Sequence, residues 1–386
     1  MPATIIADDL TGACDAGALF CGRGRVGVFF DDRAPGPEWE VAVVDSESRA
    51  LPAAEAARAV SEIAQRLGPR LRRGLVFKKI DSTLRGAVGA ELDVLLNVTG
   101  RRAALVCPAF PAQGRTVVDG ILRVGGVPAH ESPIGRDPDY PTPFSDVADI
   151  LRRGGRPVRR VALREVRGGA LPHALEGATG GVLAADAETD ADLDALAAAA
   201  AADASMLLAG SAGLARATAA ALAYAGGTVP LPEGRAWLIV AGSRHPASRS
   251  QTQALRAAGM TSVIVESGAT PDVAPLIAAL RSGGPALLES GDTPDDRSAV
   301  AARLARSAAT VLSAARPDLV AVTGGDTARA LLRALGATRL ELVGAPSSGL
   351  ALGDIVVNGM STLPLLTKAG GFGAPDLLLA LLKGAR

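Results

Sequence analysis

Short apolar runs alternate with Ala- and Leu-rich stretches along almost the whole chain. "TIIADD" (4–9), "RVGVFF" (25–30), "VAVVDSES" (41–48), "GLVFKKIDS" (74–82) and "AALVCPAF" (103–110) contain continuous apolar runs, not strict alternation. That is the pattern of strands buried on both faces. Helical stretches lie between them, at 53–67 and 86–96. The β-α-β-α order predicts a parallel sheet with helices on both sides. The rhythm resumes at "RRVAL" (159–163), "GGVLAADA" (180–187) and "SMLLAGSAGLARATAAALA" (205–223). It continues through "AWLIVAGS" (236–243), "TSVIVES" (261–267), "PALLES" (285–290), "DLVAVTGGD" (318–326) and "RLELVG" (339–344).

Two segments interrupt it. Residues 111–149 are rich in Pro, Gly, Asp and Arg with no clear period, which predicts a long functional loop or lid. Residues 223–235, "AYAGGTVPLPEGR", read as a linker. The expectation is therefore an α/β protein of two domains, 1–228 and 229–386, each with a largely parallel sheet flanked by helices. "AGS" recurs at 209–211 and 241–243, too short a string to establish a duplication. The Ala run 197–202 predicts a solvent-washed helix.

At 386 residues and 48% hydrophobic content the chain can bury a large core. Forty basic and forty acidic residues cancel, and aromatics are 3%. This argues against a broad nucleic-acid or membrane-surface role, which needs a basic face or a stacking platform. Cys14, Cys21 and Cys107 lack C-x-x-C spacing, and His130, His173 and His245 are scattered, so neither a disulfide framework nor a zinc site is indicated. No signal region opens the chain, and no apolar run reaches the roughly 18–20 residues of a membrane span. A soluble cytoplasmic protein is expected.

In open parallel sheets, ligands bind beyond the carboxyl ends of the strands. In the first half those ends carry mixed charge. They are Asp8-Asp9; Asp45, Ser46, Ser48 and Arg49; Lys78, Lys79, Asp81, Ser82, Thr83 and Arg85; and Gln113, Gly114 and Arg115. Such a mixture suits a small polyhydroxylated acid: cations for its carboxylate, carboxylates for its hydroxyls. In the second half the ends are Gly-rich. Gly242 and Ser243, then Gly324, Gly325, Asp326 and Thr327, then Lys368, Gly370, Gly371 and Gly373 each lie at or ahead of a helix. Bare backbone N–H groups at a helix N-terminus bind phosphate. Neither G-x-x-x-x-G-K-[ST] nor a strand-following G-x-G-x-x-G is present, so the P-loop and dinucleotide fingerprints are not supported.

Taken together, "ADDLTGACDAG" (7–17), "SR" (48–49), "KKIDSTLRG" (78–86), "PAFPAQGR" (108–115), "RDP" (136–138), "AGSRHPASRSQTQ" (241–253), "TGGDTA" (323–328) and "TKAGGFG" (367–373) make the chain resemble the four-carbon acid sugar kinase family. The resemblance implies an N-terminal acid-sugar domain, a C-terminal nucleotide domain, an active site in the interdomain cleft, and ATP with Mg2+ as cofactors. The loop "VGAPSSGLALGD" (343–354) departs from the family pattern, with Gly349 matched and no Pro directly before it. Ser348, Gly349 and Leu350 are its candidate nucleotide residues.

The expected chemistry is phosphoryl transfer to a hydroxyl, the terminal one by resemblance, of threonate, erythronate or a 3-oxo-tetronate. Phosphoryl transfer needs positioning, charge neutralisation and an acidic group beside the attacking hydroxyl. Asp8 or Asp9 is the expected base and Asp81 the second candidate, with a helix cap as its bland alternative. Adjacent carboxylates repel unless a cation lies between them, a part assigned to Lys78, Lys79 or Arg85. Arg49 and Arg85 are expected to fork the substrate carboxylate, with Lys78, Lys79, Ser82 and Arg115 alongside. Ser243, Gly324, Gly325, Asp326, Thr327, Lys368, Gly370 and Gly371 are expected around ATP, Lys368 either neutralising phosphate or snorkelling to solvent. Magnesium ligands are not assigned. The rival readings are a non-catalytic sensor of ATP and hydroxy acid, and another enzyme class on sugar acids, such as an oxidoreductase. The oligomeric state stays open, a homodimer among the options.

Overall fold

The computed structural model describes residues 2–30, 34–136, 142–268, 270–291 and 296–384. The chain divides into two compact units, residues 1–26 with 32–226, and residues 27–31 with 227–386. The small segment 27–31 therefore groups with the second unit, where the Phe30 N–H donates to the Thr338 carbonyl (3.1 Å).

The first unit is built on seven parallel strands. Their order is Val41–Asp45, Ala3–Ala7, Leu75–Lys79, Met206–Gly210, Ala103–Cys107, Val182–Ala185 and Val158–Val161. The continuous apolar runs are central here, buried on both faces. From Ala3–Ala7 the chain returns on one side at Val41–Asp45, then crosses to the other side at Leu75–Lys79. That reversal opens a crevice at the carboxyl ends of these strands, where Ala7 stands opposite both Asp45 and Lys79. Side chains alternate across the sheet. Lys78 points toward helix Val88–Thr99, where it meets Glu91, and Lys79 toward helix Leu10–Ala18, beside Gly12.

The second unit has parallel strands in the order Thr261–Val265, Ala286–Ser290, Trp237–Ala241, Leu319–Thr323 and Met360–Lys368. Leu350–Val357 and Ala337–Gly344 extend it antiparallel. A core of Trp237, Ile239, Leu255, Leu287, Leu319, Leu352, Leu366 and Leu378 fills one side. Here too the order of strands reverses, around Trp237–Ala241, and the crevice falls beside Gly242 and Gly324.

Three expectations change. Residues 111–149 are not one loop. Arg115–Val118, Ile121–Val124 and Val127–Pro128 form a small antiparallel sheet, followed by helix Val147–Arg152. Its turns are Asp119-Gly120 and Gly125-Gly126, both residues of each at positive φ, as two-residue hairpins require. Residues 350–354 of the atypical loop are strand, joined to Met360–Lys368 through Asn358-Gly359, again at positive φ. The helix Asp190–Ala201 is not washed by solvent on all sides, because Leu193, Leu196, Ala197 and Ala200 are buried.

Helices Val88–Thr99 and Val147–Arg152 approach so closely that a Cβ at Gly154 would overlap the Gly89 carbonyl. Gly154→Ala is expected to cost about 1–3 kcal/mol as overpacking. The measurement is a lower denaturant midpoint at unchanged slope.

Candidate functional sites

At the end of the first strand, Asp9 caps helix Leu10–Ala18. Its Oδ1 accepts from the Gly12 N–H (2.9 Å) and its Oδ2 from the Thr11 hydroxyl (2.6 Å). A Cβ at Gly12 would lie 2.6 Å from Asp9 Oδ1 and 3.2 Å from Lys79 Nζ, so glycine lets both charges fold over the first turn. Asp8 is buried at 2% exposure and bound in a fork by Arg49, Nε to Oδ2 at 2.9 Å and Nη2 to Oδ1 at 2.8 Å. The same Nη2 donates to Asp9 Oδ1 at 2.7 Å. Arg49 is delivered by the loop after Val41–Asp45. There the Ser46 hydroxyl donates to the Ala7 carbonyl and the Glu47 N–H to Asp45 Oδ1. The cation shared by the carboxylate pair is thus Arg49, not the expected Lys78, Lys79 or Arg85.

Asp81 follows the neighbouring strand. Arg85 forks it, Nε to Oδ2 and Nη2 to Oδ1, both at 2.8 Å, and Thr83 donates to it through both N–H and hydroxyl. It does not cap helix Val88–Thr99, whose cap position is Ala87. It shapes the turn that puts Leu84 at φ 58°. Burial by itself would raise the carboxyls of Asp8 and Asp81. The guanidiniums more than offset it: Arg49 at Asp8, with Lys78 and Lys79 adding, and Arg85 with Arg49 at Asp81. Both carboxyls are held below their ordinary value, Asp81 well below. The side chain of Asp9 is 19% exposed against 2% for Asp8, so Asp9 is the carboxylate a ligand can reach.

Lys79 donates to the Ile80 carbonyl (2.9 Å), and Ser82 is half-buried in the adjoining turn. Arg115 is half-buried at the start of its strand. Burial lowers its pKa, and the charges acting on it are Asp81 and Arg85. Lys78 has to be corrected as a substrate ligand. It is fully buried, and its ammonium pairs with buried Glu91 at 3.0 Å. Arg85 also lines a pocket of about 300 Å³, with Gly86, Val88, Thr142, Phe144 and Arg153 among others. The Arg153 guanidinium lies 4.0 Å from the Phe144 ring centroid. Nothing local in the sequence marks this pair, nine residues apart with a helix starting between them. Arg136 is exposed, and Asp137 and Pro138 of the "RDP" string lie outside the described residues.

The second unit gathers its glycine turns. Ser243 is wedged between Gly324, where a Cβ would lie 3.5 Å from Ser243 Cβ, and Gly370, where one would overlap the Ser243 hydroxyl. A Cβ at Gly242 would overlap the Thr327 hydroxyl, one at Gly371 would lie 3.1 Å from His245 Nε2, and one at Gly349 would collide with the Phe372 ring. Gly324, at φ 95°, is the cap of helix Gly325–Ala334, so no cap side chain folds back over the first-turn N–H groups. The uncapped first turn of that helix fits a phosphate group. Asp326 is exposed and paired with Arg297 (3.3 Å). Ser348 is exposed, but Leu350 is fully buried in the core and is no ligand: its side chain fills the apolar layer. Lys368 does not snorkel. It is 1% exposed, and burial draws its pKa down to about 8.

Sequence reasoning passed over Ser248 and Gln251. They share an inward helix face with Thr252 and Leu255, at i, i+3, i+4 and i+7, a polar stripe where apolar residues are usual. The Ser248 hydroxyl donates to the Gly370 carbonyl, and Gln251 Nε2 to those of Phe372 and Ala374. Among the described residues no group of three or more His, Cys, Asp or Glu converges as a metal site, and no helix is long and apolar enough to cross a membrane. Burial pushes the thiols of Cys21 and Cys107 up to about 12, which leaves both unreactive.

The two units thus present different linings at their strand ends, charged side chains in the first and glycine turns in the second. Residues 3–218 match the sugar-binding N-terminal domain family and residues 238–378 the nucleotide-binding C-terminal domain family. The chain belongs to the four-carbon acid sugar kinase family. It is similar to a D-threonate kinase of Salmonella typhimurium, 35% identical over 68% of this chain and 63% of that one. It is also similar to a D-erythronate kinase of Heliobacterium modesticaldum, 40% identical over 38% and 35%. The aligned regions span less than two thirds of these curated relatives. A crystal structure from Bordetella bronchiseptica, a domain-swapped dimer with bound citrate, is 33% identical with a TM-score of 0.50, covering 100% of this chain and 99% of that one.

The depressed carboxyls predict acid sensitivity. Asp8 and Asp81 contribute stability above the unfolded carboxyl value of about 3.9, and it is lost as pH falls through their lower folded values. Asp81→Asn is expected to be less stable than the parent at pH 6, with the gap narrowing below about pH 4. Thermal melts across that window check it.

Proposed function

We propose that this protein is an ATP-dependent kinase that phosphorylates a hydroxyl, the terminal one, of a four-carbon sugar acid such as threonate, erythronate or a 3-oxo-tetronate. The observation that carries the reading is the accessible carboxylate of Asp9, held ready at a strand end by a guanidinium, in a chain that also carries a glycine-capped helix N-terminus suited to phosphate. The names of the relatives support the substrate class, and citrate in the Bordetella protein has the same grouping of carboxylate and hydroxyl.

In this reading Asp9 orients the attacking hydroxyl and takes its proton. Asp8 and Asp81, both paired and both acidified, are poor bases and serve to hold Arg49 and Arg85 in place. Arg85 and Arg115, with Lys79 behind, draw the substrate carboxylate to the mouth of the crevice. Ser243, Gly324, Gly325, Thr327, Gly370 and Gly371 bind the nucleotide. ATP would supply the phosphoryl group, and Mg2+ bound with it would neutralise its charge.

The test is a coupled ADP-release assay against a panel of four-carbon acids. Turnover of at least one acid is expected. MgATP binding without ADP release on any acid would favour a sensor. Asp9→Asn is expected to lower kcat by about 100-fold or more while ATP affinity is kept. Arg85→Ala is expected to raise the KM for the acid far more than that for ATP. An equal rise in both would overturn the assigned roles.

A further inference from the structure

The strand Met360–Lys368 ends on a lysine that turns back into its own loop. Lys368 Nζ donates to the carbonyls of Ala369 (2.9 Å), Gly370 (3.4 Å) and Phe372 (2.9 Å). An ammonium has three N–H donors, and all three are engaged. None is left for a phosphate oxygen, which a phosphate-binding lysine must reach as an outward point charge.

The geometry has a second consequence. In a planar trans peptide, the carbonyl of one residue and the N–H of the next point in opposite directions. Turning the carbonyls of 369, 370 and 372 toward Lys368 therefore turns the N–H groups of Gly370, Gly371 and Gly373 away from it. None of these three N–H groups has a hydrogen-bond partner among the described residues. The successive outward N–H groups of Gly370 and Gly371 make an anion-binding concavity, and Gly373 adds a third beyond Phe372, whose own N–H turns in to the Ala369 carbonyl (3.1 Å). Glycine is what lets the chain take this path. A Cβ at 370 would overlap the Ser243 hydroxyl, and Gly373 sits at φ 88° with a Cβ there overlapping Leu377. Ser248 and Gln251 brace the same carbonyls from helix Pro246–Ala257, at 2.7 Å to Gly370 and 3.0 Å to Phe372.

We propose that Lys368 is a positioning residue: its ammonium pins three carbonyls inward and so presents the N–H groups of Gly370, Gly371 and Gly373 to an anionic group of the nucleotide. This rests on the reading of the second unit as nucleotide-binding. It replaces direct neutralisation of phosphate by the lysine. Arginine cannot substitute, because a planar fork does not match a three-pointed cage in a buried space.

The experiment joins amide hydrogen exchange on the ligand-free protein with ADP titration. Lys368→Met is expected to speed exchange at the bonded amides of peptides spanning 366–376, Phe372 among them, and to weaken ADP binding, each by about tenfold or more, as loss of charged hydrogen bonds implies. Lys368→Arg should not restore either, and the KM for the acid should not move. Ser248→Ala, which removes one bond and no charge, should shift both readouts in the same direction by about threefold. It keeps the test decisive if Lys368→Met fails to fold. Weakened ADP binding with parental exchange in the ligand-free loop would make Lys368 a direct ligand and overturn the proposal. Unchanged exchange and binding would overturn it too. Failure of the parent protein to bind ADP would overturn the nucleotide reading and the ligand named here, whereas faster exchange in Lys368→Met depends on neither.

Discussion

Adjacent carboxylates at the end of a buried strand repel unless a cation lies between them, and Arg49 is that cation. It forks Asp8 and reaches Asp9 with the same nitrogen. Asp8 is fully committed to the pair, which leaves Asp9 as the accessible partner, fixed by the helix it caps. The neighbouring strand repeats the arrangement with Asp81 and Arg85. Buried ion pairs of this kind are weak evidence for stability, because desolvation consumes much of the attraction. Their effect here is positional: several charges keep defined directions at the carboxyl ends of these strands.

The second unit solves a different problem with different means. Its strand ends are lined by backbone, and glycine is required there either because neighbouring atoms leave no room for a Cβ, as at Gly349 and Gly370, or because φ is positive, as at Gly324. Ser243 stands against two of them, and Phe372 against a third. Bare N–H groups carry partial charge without a desolvated ion, which suits an anion arriving with its own counter-cation. Lys368, a buried cation, serves the backbone instead of replacing it.

Much of this was legible in the sequence. Continuous apolar runs marked the buried parallel strands, and the polar residues after each run marked the crevices, because in such sheets the carboxyl ends collect the ligand groups. The hairpins were legible but passed over: Asp119-Gly120, Gly125-Gly126 and Asn358-Gly359 are each a two-residue turn signal. Partners were not legible. Lys78 and Lys79 are neighbours in sequence and part ways in space, one to Glu91 and the other toward Asp9, because a strand sends successive side chains to opposite faces. Leu350 follows a ligand-like glycine yet belongs to the core for the same reason.

By itself, the sequence determined the fold class, the family and the set of residues available at the strand ends, since these follow from periodicity and from short strings tied to local backbone geometry. Tertiary structure alone decided which cation meets which carboxylate, that Lys368 faces carbonyls, and that Phe144 and Arg153 flank a pocket. Those outcomes depend on distances between residues far apart in the chain, and no local pattern encodes them.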